Sequence, residues 1–334
     1  MKRKDFILQS TLAVASVPLL ISCSQDNQVV SITPKLKKEK KQLVIGITAP
    51  CGAVFNQRLL QKSIDFLKNE GFEVVLGKTL DTQHGYFSDT DEKRAQELNE
   101  FFKNKSIDII LCARGGWGCN RLIPYLDIET IKNNPKALVG FSDVTTLLNY
   151  IHFKTGLITY HGNVAYSSWG NYSYESFKQT IVNQQTEIVS NYKEDKLEVL
   201  SSGAAQGKLI GGNLTVLASM IGTNYEPIWK NNILCLEETH EEPYRVDRLL
   251  NQLKDSRVFN QSAGIILGKF NKCSPEEPNK SFSLDEVLDH YFKNIPIPVV
   301  KNASFGHVTH KFTIPIGMKA SLSTDDLKIK LLGS

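Results

Sequence analysis

The stretch Asp108–Asp127, "DIILCARGGWGCNRLIPYLD", combines a short apolar strand, a glycine-rich turn and a lone thiol. The strand runs into Gly115 and Gly116 and turns through Trp117 and Gly118 to Cys119, where a helix is expected to begin. A strand–turn–helix of this form is how a nucleophile is held at the tip of a sharp turn. Glycine permits the positive φ angles that such a turn needs. The amide of Asn120 and one from the Gly115–Gly116 pair would then face a developing oxyanion, and a helix start would depress the thiol pKa. The pattern is not G-x-S-x-G, since no glycine follows at the second position. Two readings stay open: a nucleophile, or a small residue in a glycine-rich turn.

A nucleophile needs a base and a group that orients it. Glu237 lies near the end of "NILCLEET", a buried strand where a carboxylate is costly without a partner. The alternative is that Glu237 or Glu238 pairs with Arg245 or Arg248 on the next helix. His307, in "SFGHVTHK", follows a strand and is the base candidate, with His161, His240 and His310 as rivals. No H-E-x-x-H, C-x-x-C pair or G-x-G-x-x-G is found, so neither a metal nor a dinucleotide cofactor is expected.

These residues need a scaffold. From Gln42, "QLVIGITAP", "FEVVLGK", "DIILCAR" and "ALVGF" read as strands alternating with amphipathic helices, among them "NQRLLQKSIDFLKNEG", "DEKRAQELNEFFKNKSI" and "SDVTTLLNYIHFKTG". Strands apolar on both faces argue an α/β fold with a mainly parallel sheet, whose site lies at the strands' carboxyl ends. This N-terminal domain spans 42–185 and carries the nucleophile elbow. Residues 186–207 are polar and turn-rich and read as a linker. Residues 208–334, with shorter strands and more turns, read as a mixed, β-rich C-terminal domain carrying Glu237 and His307.

The N-terminus reads as a targeting segment. "MKRKD" is a basic n-region, followed by an apolar h-region that ends in "LISC", which resembles a bacterial lipobox. Residues 1–22 are therefore expected to be removed, Cys23 to carry lipid, and 23–41 to form a flexible, lysine-rich tether. The expected location is the cell envelope, on the periplasmic face of a bacterial membrane. Of six cysteines, removing Cys23 leaves five, so at least one is unpaired where disulfides can form. Cys112 and Cys235 fall inside apolar strands as small hydrophobes. The formal charge of +4 is concentrated near the N-terminus, so no nucleic-acid partner is indicated.

In ordered blocks from "ITAP" through "ARGGWGCNRLIPYLD", "GFSDVTTLL", "HGN", "GGNLTVLASMIGT", "LCLEETHEEPYRVDRLLNQL", "GIILGKF" and "SFGH" to "IPIGMKASL", the chain resembles the LD-carboxypeptidase family of serine peptidases. That family includes murein tetrapeptide carboxypeptidases and microcin C7 self-immunity proteins. The resemblance implies a two-domain fold with the site between domains, commonly a homodimer. It places Cys119 where the family has its serine, Glu237 as the orienting glutamate and His307 as the base, with Trp117 and Asn213 among the substrate-binding residues. Asp89 stands where family members often have glycine. The function implied is a lipid-anchored peptidase that releases a terminal D-amino acid from cell-wall-derived peptides through a Cys–His–Glu triad. The alternatives are a detoxifying amidase of the microcin-immunity kind and a non-catalytic muropeptide-binding lipoprotein.

Overall fold

The computed structural model describes residues 29–36, 42–185, 188–189, 191–293 and 295–333. The segment read as a signal peptide and Cys23 lie outside the described residues.

The first half alternates as β1 (Val44–Thr48), α1 (Gln57–Asn69), β2 (Glu73–Leu76), α2 (Asp91–Lys103), β3 (Ile109–Cys112), α3 (Ile128–Asn133), β4 (Ala137–Gly140), α4 (Thr145–Thr155), β5 (Thr159–His161) and α5 (Asn171–Phe177). Local chemistry sets these bounds. Asn56 caps α1 by accepting from the Leu59 amide, and Leu60, Ile64 and Leu67 recur on its buried face. Thr90 caps α2, with Asp91 and Glu92 in the first turn against the positive end of the helix.

The second half contains β6 (Ile188–Val189), β7 (Glu198–Ser201), β8 (Ala204–Asn213), α6 (Leu214–Met220), β9 (Ile233–Thr239), α7 (Pro243–Asp255), α8 (Val258–Gln261), β10 (Gly264–Asn271) and α9 (Leu284–Phe292). It closes with β11 (Val299–Lys301), β12 (Ile314–Ile316), β13 (Lys319–Ser323) and β14 (Lys328–Gly333).

Two sheets result. The first has the order β12-β5-β4-β3-β1-β2, with β1 to β5 parallel and β12 antiparallel at the edge. The second has the order β6-β14-β13-β8-β9-β10-β11-β7 and is mixed, with β8 to β11 parallel. The α/β class and the mixed second sheet agree with the sequence reading. Two segments differ from it. The stretch read as a linker supplies β6 and β7, which pair with β14 and β11. Their pairing partners lie about a hundred residues away or further, which no local pattern reveals.

The tether is also not wholly free. Within 29–36, Ile32 donates to the Gly156 carbonyl (2.7 Å) and accepts from Ile158 (2.9 Å), while Ser31 Oγ donates to the Gly317 carbonyl (2.7 Å). Leu36 is buried against the first core. Ile32 and Leu36, ahead of most of the lysines in sequence, dock this part of the segment on the body.

Helix α4 joins the sheets. Asn149 exchanges hydrogen bonds with the backbone of Gly211 (2.9 and 3.0 Å), and the Asn213 amide donates to Thr145 Oγ1 (3.1 Å). A Cβ on Gly212, at φ 141°, would lie 2.4 Å from that hydroxyl, so only glycine allows this approach.

Candidate active site

The register pairs Leu111 with Val139 and Val139 with Tyr160, which brings the carboxyl ends of β3, β4 and β5 level. Above them opens a cavity of about 610 Å³, lined by Gly115, Gly116, Ser142, Tyr166, His307 and Lys311 among others. Parallel α/β sheets place their sites at this end of the strands.

Glu237 and His307 meet there. Glu237 is fully buried near the end of β9, and its Oε2 lies 2.7 Å from His307 Nδ1. Burial pushes the Glu237 carboxyl up, but the hydrogen bond and charge of His307 outweigh it and hold the group below its ordinary value. An ionised carboxylate only accepts, so Nδ1 carries the proton and Nε2 is left as the basic nitrogen. Gly306, at φ 106°, permits this approach, since a Cβ there would lie 2.6 Å from Glu237 Oε2. A Gly306→Ala variant is therefore expected to lose about a hundredfold in kcat by displacing the pair, with secondary structure retained by circular dichroism.

Neither Glu237 nor Glu238 pairs with Arg245 or Arg248. Arg245 instead reaches Glu241 (3.5 Å), and Glu238 is satisfied by Asn213, Thr215 and the Thr239 amide. The rival histidines stand elsewhere. His161 is buried, with Nε2 4.0 Å from Glu237 Oε1, and burial lowers its pKa to about 4, leaving it neutral. His310 stacks on Tyr192 at 3.9 Å, and His240 lies at the cavity rim with Nδ1 on Thr239 Oγ1 (2.8 Å).

Cys119 does not join this pair. Its sulfur is bonded to Cys51, it is fully buried, and it is not among the residues lining the cavity. Its backbone is ordinary right-handed helix (φ −62°, ψ −33°) ahead of a short 3-10 helix, Asn120–Tyr125, so the chain makes no elbow there. A sulfur committed to a disulfide has no lone thiolate to attack with. The reading of Cys119 as nucleophile, and of the Asn120 amide as its oxyanion donor, is corrected on these grounds.

Trp117 is 60% exposed and packs edge-on against Tyr86 rather than lining the cavity. Asn213 is buried, donates to Glu238 Oε1 (2.9 Å) and caps α6, so its role is support. Asp89 accepts from the Thr90 amide and pairs with Lys93 (3.3 Å), also off the cavity.

The elbow lies one strand further on. After β4, Phe141 is extended (φ −156°), Ser142 adopts φ 64°, and the chain enters a 3-10 turn that continues into α4. A positive φ in a serine is strained and persists only where its surroundings enforce it. Here a Cβ on Gly115 would fall 2.7 Å from Ser142 Cβ and 2.9 Å from its Oγ. Gly115 of "RGG" therefore makes room for this serine, while Gly116, at φ 127°, lies against Gly52. The Phe141 ring packs on His307 at 4.8 Å, which seats the imidazole beside the elbow. Asp143, next in the chain, accepts from the Cys119 amide (2.8 Å), and burial raises its pKa to about 6 against that hydrogen bond and the charge of Arg94. In sequence, "GFSDV" carries the signal as a short buried strand, one residue, a serine and a helix; its one glycine, Gly140, ends the strand, and the turn itself has none.

Models of the LD-carboxypeptidase N-terminal and C-terminal domains match residues 45–162 and 206–322. A probable murein peptide carboxypeptidase of Bacillus subtilis is 36% identical over 301 residues, covering 89% of this chain and 93% of that protein. A murein tetrapeptide carboxypeptidase of Pseudomonas aeruginosa is 31% identical, covering 85% and 94%. Among solved structures, the microcin C7 self-immunity protein superposes with a TM-score of 0.78 at 30% identity, covering 87% of this chain and 96% of that one. It does so as an active-site mutant with alanine replacing a serine, an asparagine and a lysine. The same protein has been solved with aspartyl sulfamoyl adenosine. The chain belongs to the LD-carboxypeptidase family and is a hydrolase of that kind.

Proposed function

We propose that this chain hydrolyses the amide before a terminal D-amino acid in cell-wall-derived peptides, using Ser142, His307 and Glu237. The observation that carries the reading is the strained Ser142 elbow, which shares one cavity with an imidazole fixed at 2.7 Å by a buried carboxylate.

Ser142 Oγ attacks the scissile carbonyl as His307 Nε2 takes its proton. Glu237 holds the imidazole in the required tautomer and stabilises the imidazolium. In this reading the amide of Asp143, which follows the nucleophile, and an amide of the Gly115–Gly116 turn receive the oxyanion. His307 then returns the proton to the leaving amine, and water releases the acyl group from Ser142 by the same steps in reverse.

The test incubates the purified chain with defined muropeptides and follows free D-alanine by mass spectrometry. No release from any of them, by a folded protein, would defeat the reading. A second reading follows from the likeness to the microcin immunity protein: hydrolysis of an aminoacyl sulfamoyl nucleotide at the same serine. Including aspartyl sulfamoyl adenosine in the assay separates the two.

The proposal extends to location. The lipobox-like "LISC" supports lipidation at Cys23, and the Cys51–Cys119 disulfide suits a compartment outside the reducing cytosol. A Cys23→Ser variant is expected to lose incorporation of labelled fatty acid in cells. Labelling at the parental level would rule out the anchor.

A further inference from the structure

Lys311 is buried (6% exposed), yet it lines the cavity that holds Ser142 and His307. Its backbone amide donates to Ser173 Oγ (3.0 Å), and its Nζ sits 4.1 Å from the centre of the Phe141 ring. Among the described residues, no carboxylate lies within 4.0 Å of that ammonium. An unpaired buried cation is costly, and a site retains one where a ligand supplies the missing charge. The other cation on the cavity wall, Arg114, is held by its Nη1 on the Ala53 carbonyl (2.9 Å) beside the Tyr166 ring, whereas the Lys311 ammonium lies over the ring of the residue that precedes Ser142.

We propose that the Lys311 ammonium binds the free α-carboxylate of the substrate's C-terminal residue and so makes this hydrolase a carboxypeptidase. The inference rests on the peptidase reading above and names the group that selects its substrate. The α-carboxylate of the leaving residue is two bonds from the scissile nitrogen, so the cation that recognises it must stand beside the nucleophile. Lys311 does so, because the ring beneath its ammonium belongs to the residue preceding Ser142. Burial lowers the Lys311 pKa to about 8 against the opposing charge of Glu237, and an incoming carboxylate offsets that burial.

The experiment compares a muropeptide ending in D-alanine with the same peptide ending in D-alaninamide. Wild-type kcat/KM is expected to favour the free acid by about tenfold to a hundredfold, as for one charge-assisted hydrogen bond in a desolvated site. Lys311→Met should remove most of that preference by raising KM for the acid, with values for the amide little changed. An unchanged acid-to-amide ratio in the variant overturns the proposal. Inhibition of the wild-type protein covers a variant that fails to fold. D-alanine is expected to compete at lower concentration than D-alaninamide, and equal inhibition by the two overturns the proposal. A wild-type chain that cleaves neither peptide overturns the peptidase reading, and this inference with it.

Discussion

Ser142→Ala is expected to lower kcat for release of the terminal D-amino acid by about 10⁴-fold to 10⁶-fold, the range for removal of a triad nucleophile. The substitution deletes one hydroxyl and leaves the methyl-sized group that the elbow already holds, so thermal unfolding should shift little. A fluorophosphonate should label the parent at Ser142 and fail to label the variant. Cys119→Ala should keep that labelling, because its sulfur lies outside the cavity. A Ser142→Ala protein that still turns over at the parental rate would return the nucleophile to an open question. Loss of turnover in Cys119→Ala without loss of stability would do the same.

The second large effect belongs to the disulfide. Cys51 follows β1 and Cys119 follows β3, and their bond closes a loop with a sequence separation of 68. The chain-entropy estimate for a loop of that length is about 4 kcal/mol of stability. Arg94 reinforces the same junction, donating to the Pro50 carbonyl (2.5 Å) beside one cysteine and to the Gly118 carbonyl (3.4 Å) beside the other. A Cys51→Ser, Cys119→Ser protein should therefore unfold at markedly lower denaturant, with an m-value above the parent's because the unlinked chain unfolds to a more expanded state. Below its transition it should keep most of its activity, since neither sulfur touches the cavity. A midpoint unchanged by the double substitution would show that the bond contributes nothing to the native state.

Much of the fold was legible because its signals are local. Capped, periodic helices such as α1 and α2 announce themselves, as do the apolar runs of β1, β3 and the first half of β9. Segments whose structure depends on distant partners were not legible. β5 and β12 are three residues each, too short to show a period, and they are strands through pairing, β5 between β4 and β12, and β12 on β5. The Glu237–His307 pair was readable through the order of the sequence blocks. The Ser142 elbow was not, and the reason is physical. Two consecutive βα turns lie at the same edge of the sheet, and the first is marked by glycines while the second is not. The positive φ that defines the elbow falls on Ser142 because its neighbours impose it, and sequence carries no token for an imposed strain.

The edge strand β12 sets the order in which the molecule can be completed. The first sheet begins at Val44, but its last strand is not made until Ile316, after six of the second sheet's eight described strands have been synthesised. A ribosome-bound or translocating chain that has emerged only as far as β5 therefore carries an open, hydrogen-bonding sheet edge with no partner in sight. The first half cannot be finished as an independent unit on the way out, and its closure is postponed until the chain is almost entirely released. Nascent intermediates truncated between β5 and β12 are thus the ones most exposed to mispairing and to capture by holding chaperones.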